Sequence, residues 1–115
     1  MDVTRFNVAK PYDAPGHHGM VGLRLQGWEA SDTDAFWTGF SQFLPGGGAT
    51  ADATAVEKVY VVVNGELTII TDEGETTLGP FDSCHLAAGE RRAIENRSNH
   101  TASMLVSMPY PEERS

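Results

Sequence analysis

A single cysteine, Cys84, stands among the 115 residues. One thiol closes no intramolecular disulfide, and it excludes a metal site built from a cysteine cluster. Cations are scarce too: eight Lys and Arg face sixteen Asp and Glu, for a formal charge of −8. Such a chain cannot neutralise a run of phosphates, which excludes nucleic acid as a partner, and it is a poor ligand for anionic lipid, which excludes the membrane surface. No apolar run approaches the roughly 18 residues of a membrane-spanning helix. The opening MDVTRFNVAKPYDAPG has no basic stretch followed by an apolar one, so the cytoplasm is the expected compartment. The sequons Asn96-Arg97-Ser98 and Asn99-His100-Thr101 then read as turn chemistry. A long 3.6-residue apolar stripe is also missing, which leaves helix almost nowhere to form.

What is present is ordinary globular material, 40% hydrophobic and 21% charged, in a length that suits one domain spanning 1–115. Glycine and proline punctuate it at short intervals, including Pro15-Gly16, Pro45-Gly46-Gly47-Gly48, Asn64-Gly65, Gly79-Pro80 and Gly89. Between the breaks lie β-branched and aromatic segments: Met20 to Leu25, Phe36 to Phe43, Lys58 to Val63, Leu67 to Thr71 and Met104 to Met108. This pattern predicts many short strands in an all-β sandwich or barrel. Asn64-Gly65 predicts a type I′ hairpin, and Asp72-Glu73-Gly74 a second one, giving a three-stranded meander that ends near Leu78. Ala49 to Val56 reads as loop, residues 1–19 as an N-terminal arm, and 109–115 as a frayed tail.

Two stretches resemble the motifs of a small single-domain cupin. Leu44-Pro45-Gly46-Gly47-Gly48 with Glu57 to Leu67 is similar to the first motif, and Phe81-Asp82 through Gly89-Glu90-Arg91-Arg92 to Asn96 is similar to the second. The resemblance covers about half the chain and implies a double-stranded β-helix, or jelly-roll, barrel. The family's first motif supplies two histidines and a glutamate as metal ligands, and its second supplies a third histidine. Counted from Gly65, the glutamate position falls on Lys58 and the histidine positions on Asp52 and Thr54, or on Ala51 and Ala53. Counted from Gly89, the third histidine position falls on Arg92. Apart from Asp52 these are not cation ligands, so no metal site and no cofactor are expected. A one-residue shift would restore Glu57 but turn the strand's faces over.

Strand alternation puts Lys58, Tyr60 and Val62 on one face, and the resemblance says that this face looks into the barrel. With Arg92 also inward, two cations would stand where a metal sat. They would form a site for a carboxylate, phosphate or enolate-forming molecule, with Arg92 and Tyr60 binding and Lys58 as electrostatic stabiliser, base or amine nucleophile. The competing reading pairs Arg92 with Asp52 as a structural salt bridge. Cys84 and His85 alternate, so one of them faces inward: His85 would add acid–base chemistry, and Cys84 a small core group. His17 and His18 fall in a loop ahead of the first confident strand, where they are exposed or fold over the barrel mouth. Trp28 and Trp37 suit core or dimer packing.

Three functions remain open. One is a metal-independent isomerase, lyase or cyclase moving protons on a small anionic or carbonyl substrate, with Lys58 and His85 catalytic and Arg92, Asp52 and Tyr60 binding. A second is a non-catalytic sensor using the same pocket. The third is a metal-dependent, dioxygenase-like cupin holding Fe, Ni, Mn or Zn through His85, His17 or His18 with Asp52 or Glu57. The resemblance also implies a homodimer, with the N-terminal segment as the exchanged element.

Overall fold

The computed structural model describes residues 1–112, so the last three residues of the expected frayed tail lie outside the described residues. Nine strands follow a short 3₁₀ turn at Phe6–Val8: β1 (Lys10–Tyr12), β2 (His17–Gln26), β3 (Phe36–Asp52), β4 (Lys58–Asn64), β5 (Leu67–Thr71), β6 (Gly74–Leu78), β7 (Ser83–Leu86), β8 (Arg92–Glu95) and β9 (Ala102–Pro109). All pairings are antiparallel, and they make one continuous nine-stranded sheet that β3 folds into two facing sheets, in the order β1-β2-β3-β9-β4-β7 and β3-β8-β5-β6. The sheets face each other as a jelly-roll barrel. No helix is long and apolar enough to cross a membrane among the described residues.

β3 belongs to both sheets. Its first half, Phe36 to Phe43, pairs with β9, and its second half pairs with β8. The Pro45-Gly46-Gly47-Gly48 stretch, expected as a break, therefore lies inside a 17-residue strand, and so does the first part of the expected loop from Ala49. Glycine is needed there for closeness: a Cβ on Gly48 would overlap the carbonyl oxygen of Ile94 on β8. The corner is tied by Asn96, 2% exposed. Its Nδ2 donates to the carbonyls of Phe43, Leu44 and His100 at 3.1, 3.2 and 2.8 Å, and its Oδ1 accepts from the Ser98 amide at 3.1 Å.

The expected meander is corrected. β5 and β6 form the hairpin at Asp72-Glu73-Gly74, but β4 pairs with β7 and β9 and never with β5. Asn64-Gly65 instead carries the chain from one sheet to the other, with Gly65 at φ 74° against Ala102. The physical reason is burial: Tyr60 and Val62 on β4, and Leu67 and Ile69 on β5, all point into the barrel, which requires the two strands to face each other across the core. A flat hairpin could not do this. The largest fully buried apolar side chains, Phe43, Val62, Leu67, Ile94 and Met104, contribute roughly 1.5–3 kcal/mol each.

Near the chain ends, Gly22 to Arg24 of β2 run between β3 and β1. Of the expected tail, Pro109 closes β9, and the Tyr110 hydroxyl accepts from the Trp28 amide at 2.9 Å and bonds Thr33 Oγ1 at 2.7 Å.

Candidate functional site

Residues of six strands, β1, β2, β3, β4, β8 and β9, meet at a cavity of about 200 Å³, lined among others by Tyr12, His17, Trp37, Ser41, Asp52, Thr54, Lys58, Tyr60 and Arg92. Alternation produces this set. β4 buries Lys58, Tyr60 and Val62 and turns Val59 out, while β8 buries Arg92 and Ile94. Asp52, at the end of β3, stands opposite Arg92 in the β3–β8 register. The four positions that the cupin motif count assigned to ligands, Asp52, Thr54, Lys58 and Arg92, all line this one cavity. The shifted register fails, because Glu57 lies outside.

Lys58 is 4% exposed and its Nζ donates to Thr54 Oγ1 at 3.1 Å. Burial is the main cause that pushes its pKa down to about 8; the charge of Arg92 adds to the fall and Asp52 opposes it. Arg92, 7% exposed, donates from Nε to the Tyr60 hydroxyl at 2.8 Å and from Nη1 to the Thr50 carbonyl at 3.2 Å. Its other guanidinium donors have no hydrogen-bond partner among the described residues and remain available. The expected alternative of an Arg92–Asp52 salt bridge does not hold. The ion pairs among the described residues are Arg24–Glu29, His85–Glu57, Arg97–Glu75 and Arg97–Glu95. Asp52 Oδ1 accepts from the Ala53 amide instead. Burial raises the Tyr60 phenol pKa, against the charge and hydrogen bond of Arg92, so the hydroxyl keeps its proton at neutral pH.

His85 is not in the cavity. On β7 the inward residues are Cys84, opposite Tyr60, and Leu86, opposite Lys58; His85 pairs with outward Val59. Its Nε2 meets Glu57 Oε1 at 2.8 Å, with both side chains exposed. This corrects the reading of His85 as a pocket acid–base group. Cys84 packs half-buried against the core, and burial raises its pKa. The imidazole of the site is His17. It begins β2, not a loop, stacks on Phe43 at 6.4 Å, and places Nδ1 2.9 Å from the Pro15 carbonyl. Burial lowers its pKa, and the charges of Arg92, Lys58 and His18 push it further down, against the Pro15 hydrogen bond. His18 turns outward.

Sequence reasoning missed Tyr12, from the three-residue β1, and undervalued Trp37, which is buried and lines the cavity. Their rings meet edge to face at 5.9 Å. Behind them the Arg24 guanidinium lies 4.0 Å from the Tyr12 ring centre and 4.9 Å from that of Trp37, which fixes the aromatic wall.

A divalent ion does not fit these residues. The cavity offers it one imidazole and one carboxylate beside two cations, and no group of three His, Cys, Asp or Glu side chains suited to a metal comes together among the described residues.

The chain is 48% identical over 111 residues to a Mycobacterium tuberculosis protein named Beta-D-galactosidase Rv1717, with 96% of each chain covered. Among solved structures, the polyketide cyclase RemF from Streptomyces resistomycificus superposes with a TM-score of 0.85 at 19% identity, covering 95% of this chain and 79% of that one. A cupin-superfamily sugar phosphate isomerase from Silicibacter pomeroyi gives a TM-score of 0.78 at 21% identity, covering 93% and 74%. At these identities the two structures establish the fold alone. The Cupin domain family matches residues 39–108, which contain both motifs and all four cavity positions counted from them, and the chain belongs to the cupin family.

Proposed function

We propose that this cupin is a metal-independent enzyme that binds a small anionic or carbonyl compound and acts on it by proton transfer. The observation that carries the reading is the pair Lys58 and Arg92, buried on one cavity without an ion-pair partner among the described residues. Two neighbouring buried cations favour a negative ligand. A volume of about 200 Å³ is below that of drug-sized pockets and suits a molecule no larger than a monosaccharide.

In this reading the free donors of Arg92 hold a carboxylate or enolate oxygen, and Lys58 stabilises negative charge that develops at the carbonyl. The neutral imidazole of His17 removes a proton from the adjacent carbon, and the Tyr60 hydroxyl, oriented by Arg92, returns one. Positioned acid–base groups supply about 10²–10⁴-fold each, and an oxyanion donor about 10²–10³-fold. The outward row Leu23, Phe40, Leu105 and Val61, in register across β2, β3, β9 and β4, is the surface we assign to a homodimer. Sedimentation of Leu105→Lys against wild type tests it.

A second reading, hydrolysis of a β-galactoside, is favoured by the 48% identical relative. Common glycosidase chemistry uses two carboxyl groups flanking the bond, and this cavity is lined by one, Asp52. His17 would have to serve as the acid.

Deuterium wash-in from D₂O into small 2-oxo acids and aldoses, run beside hydrolysis of a chromogenic β-D-galactoside, separates the readings. Proton transfer predicts exchange that falls about 10²-fold or more in Lys58→Met and Arg92→Met and survives in Asp52→Asn. Hydrolysis without exchange, abolished by Asp52→Asn, establishes the second reading. Saturable binding with neither activity makes the protein a sensor.

A further inference from the structure

We propose that Lys58 is an imine-forming amine, whose Nζ condenses with the carbonyl carbon of a small 2-oxo acid or aldehyde held in the cavity. The inference deepens the proton-transfer reading and rests on it for its purpose. Its geometry stands separately.

A lysine serves as a nucleophile only when its amine is neutral, within reach of the electrophile and free of a carboxylate that would hold the proton. Lys58 meets these requirements by position. Its Nζ has one hydrogen-bond partner among the described residues, the neutral hydroxyl of Thr54. It forms no ion pair there, the carboxylate of Asp52 on the same cavity acting on it only from beyond ion-pair distance, and it shares the cavity with Arg92, His17 and Tyr60. The Arg92 guanidinium discourages a second positive charge and keeps donors for the carboxylate of a 2-oxo acid. The lowered pKa, about 8, agrees with this placement.

The step balances without a further reactant. The nitrogen lone pair attacks the carbonyl carbon, and the C=O electron pair moves to oxygen, which takes a proton. The nitrogen gives up a proton, and the hydroxyl, protonated again, leaves as water while the nitrogen pair forms C=N. One amine, one carbonyl and one proton thus become one iminium and one water. The His17 imidazole and the Tyr60 hydroxyl line the cavity as proton carriers. An iminium draws electrons from the neighbouring C–H bond, which is the bond that the proton-transfer reading requires to be broken.

The composition makes the test clean, since the chain has two lysines, Lys58 and the exposed Lys10. Wild-type protein is incubated with pyruvate, glyoxylate or D-glyceraldehyde and sodium cyanoborohydride, and adducts are located by peptide mass mapping. With pyruvate the expected product is one adduct on Lys58, heavier by pyruvic acid less one oxygen, formed about tenfold or more faster than at Lys10 or the N-terminus. Lys58→Arg, shown by its melting curve to be folded, forms no selective adduct, and Lys10→Arg reacts as wild type does. Equal labelling of Lys10 and Lys58, or no Lys58 adduct with any of the three carbonyls, overturns the proposal. Deuterium wash-in on the same samples separates its failure from that of the reading beneath it. Exchange without adduct removes the imine and leaves proton transfer standing; adduct without exchange keeps the imine and removes proton transfer; neither removes both.

Discussion

Replacing Lys58 by Met is expected to stabilise the fold while it disables the site. The ammonium is buried beside Arg92, and among the described residues its one hydrogen-bond partner is the neutral hydroxyl of Thr54. A fall in pKa from 10.5 to about 8 sets an upper bound of about 3.5 kcal/mol on the penalty of the charge, at ~1.4 kcal/mol per unit. The cavity admits water, which reduces the effective penalty to about 1.5 kcal/mol. Losing the hydrogen bond to Thr54 gives back about 0.5 kcal/mol. Met keeps the apolar stem, so the net expectation is a gain of about 1 kcal/mol at pH 7, seen as a rise in Tm of roughly 3–6 °C. The pH dependence carries a definite sign. Below pH 8, Lys58 is protonated in the folded and unfolded chains alike, and the penalty is fully present. Between pH 8 and 10.5 the folded chain releases the proton that the unfolded chain retains, so wild-type stability rises relative to the variant and the gap closes. The phenols of Tyr12 and Tyr60, both raised by burial, act in the opposite direction above pH 10, but they are common to both proteins and cancel in the difference. Urea unfolding at pH 7, 8.5 and 10 measures this. A Met variant less stable than wild type at pH 7, or a gap that stays constant to pH 10, refutes the reasoning.

Arg92→Met strips the Tyr60 hydroxyl and the Thr50 carbonyl of a donor, and should lower stability by about 1–3 kcal/mol; in the labelling assay, the pH at which Lys58 reacts moves upward, because a repelling charge has gone. Asn96→Ala leaves three buried or half-buried carbonyls at the β3 corner without their donor and should cost about 3 kcal/mol or more by urea titration. Gly48→Ala forces β3 and β8 apart and should be destabilising by more than about 2 kcal/mol. His85→Ala removes an exposed pair with Glu57, and both activity and stability should stay near wild type, within about 0.5 kcal/mol for the fold.

The barrel was legible because its signals are local: β-branched runs between glycines give strands, and the face of β4 follows from alternation once the motif is aligned. Lys58 and Arg92 could be placed inward for that reason. Partnership of strands was not legible. Asn-Gly marks a turn, but whether the turn closes a hairpin or crosses between sheets depends on which core the flanking apolar residues enter, and that is a long-range property. The same holds for Pro45 to Gly48, where the glycines serve close packing instead of interruption. His17 was undervalued because a His-His pair beside Gly and Pro looks like exposed loop. Only pairing of His17 with Ala49 and His18 with Gly48 separates one imidazole from the other. Cys84 against His85 turned on strand phase alone, which the sequence left open and the β4–β7 register decides.

The central claim is that Lys58 and Arg92 make the cavity an anion site. Calorimetric titration of the metal-free protein with oxalate, and separately with Mn²⁺, Ni²⁺, Fe²⁺ and Zn²⁺, tests it directly. The account predicts one oxalate per chain, weakened by salt and lost in Lys58→Met/Arg92→Met, with no stoichiometric divalent ion. A divalent ion bound one to one and lost in His17→Ala or Asp52→Asn, with no oxalate binding, would contradict it.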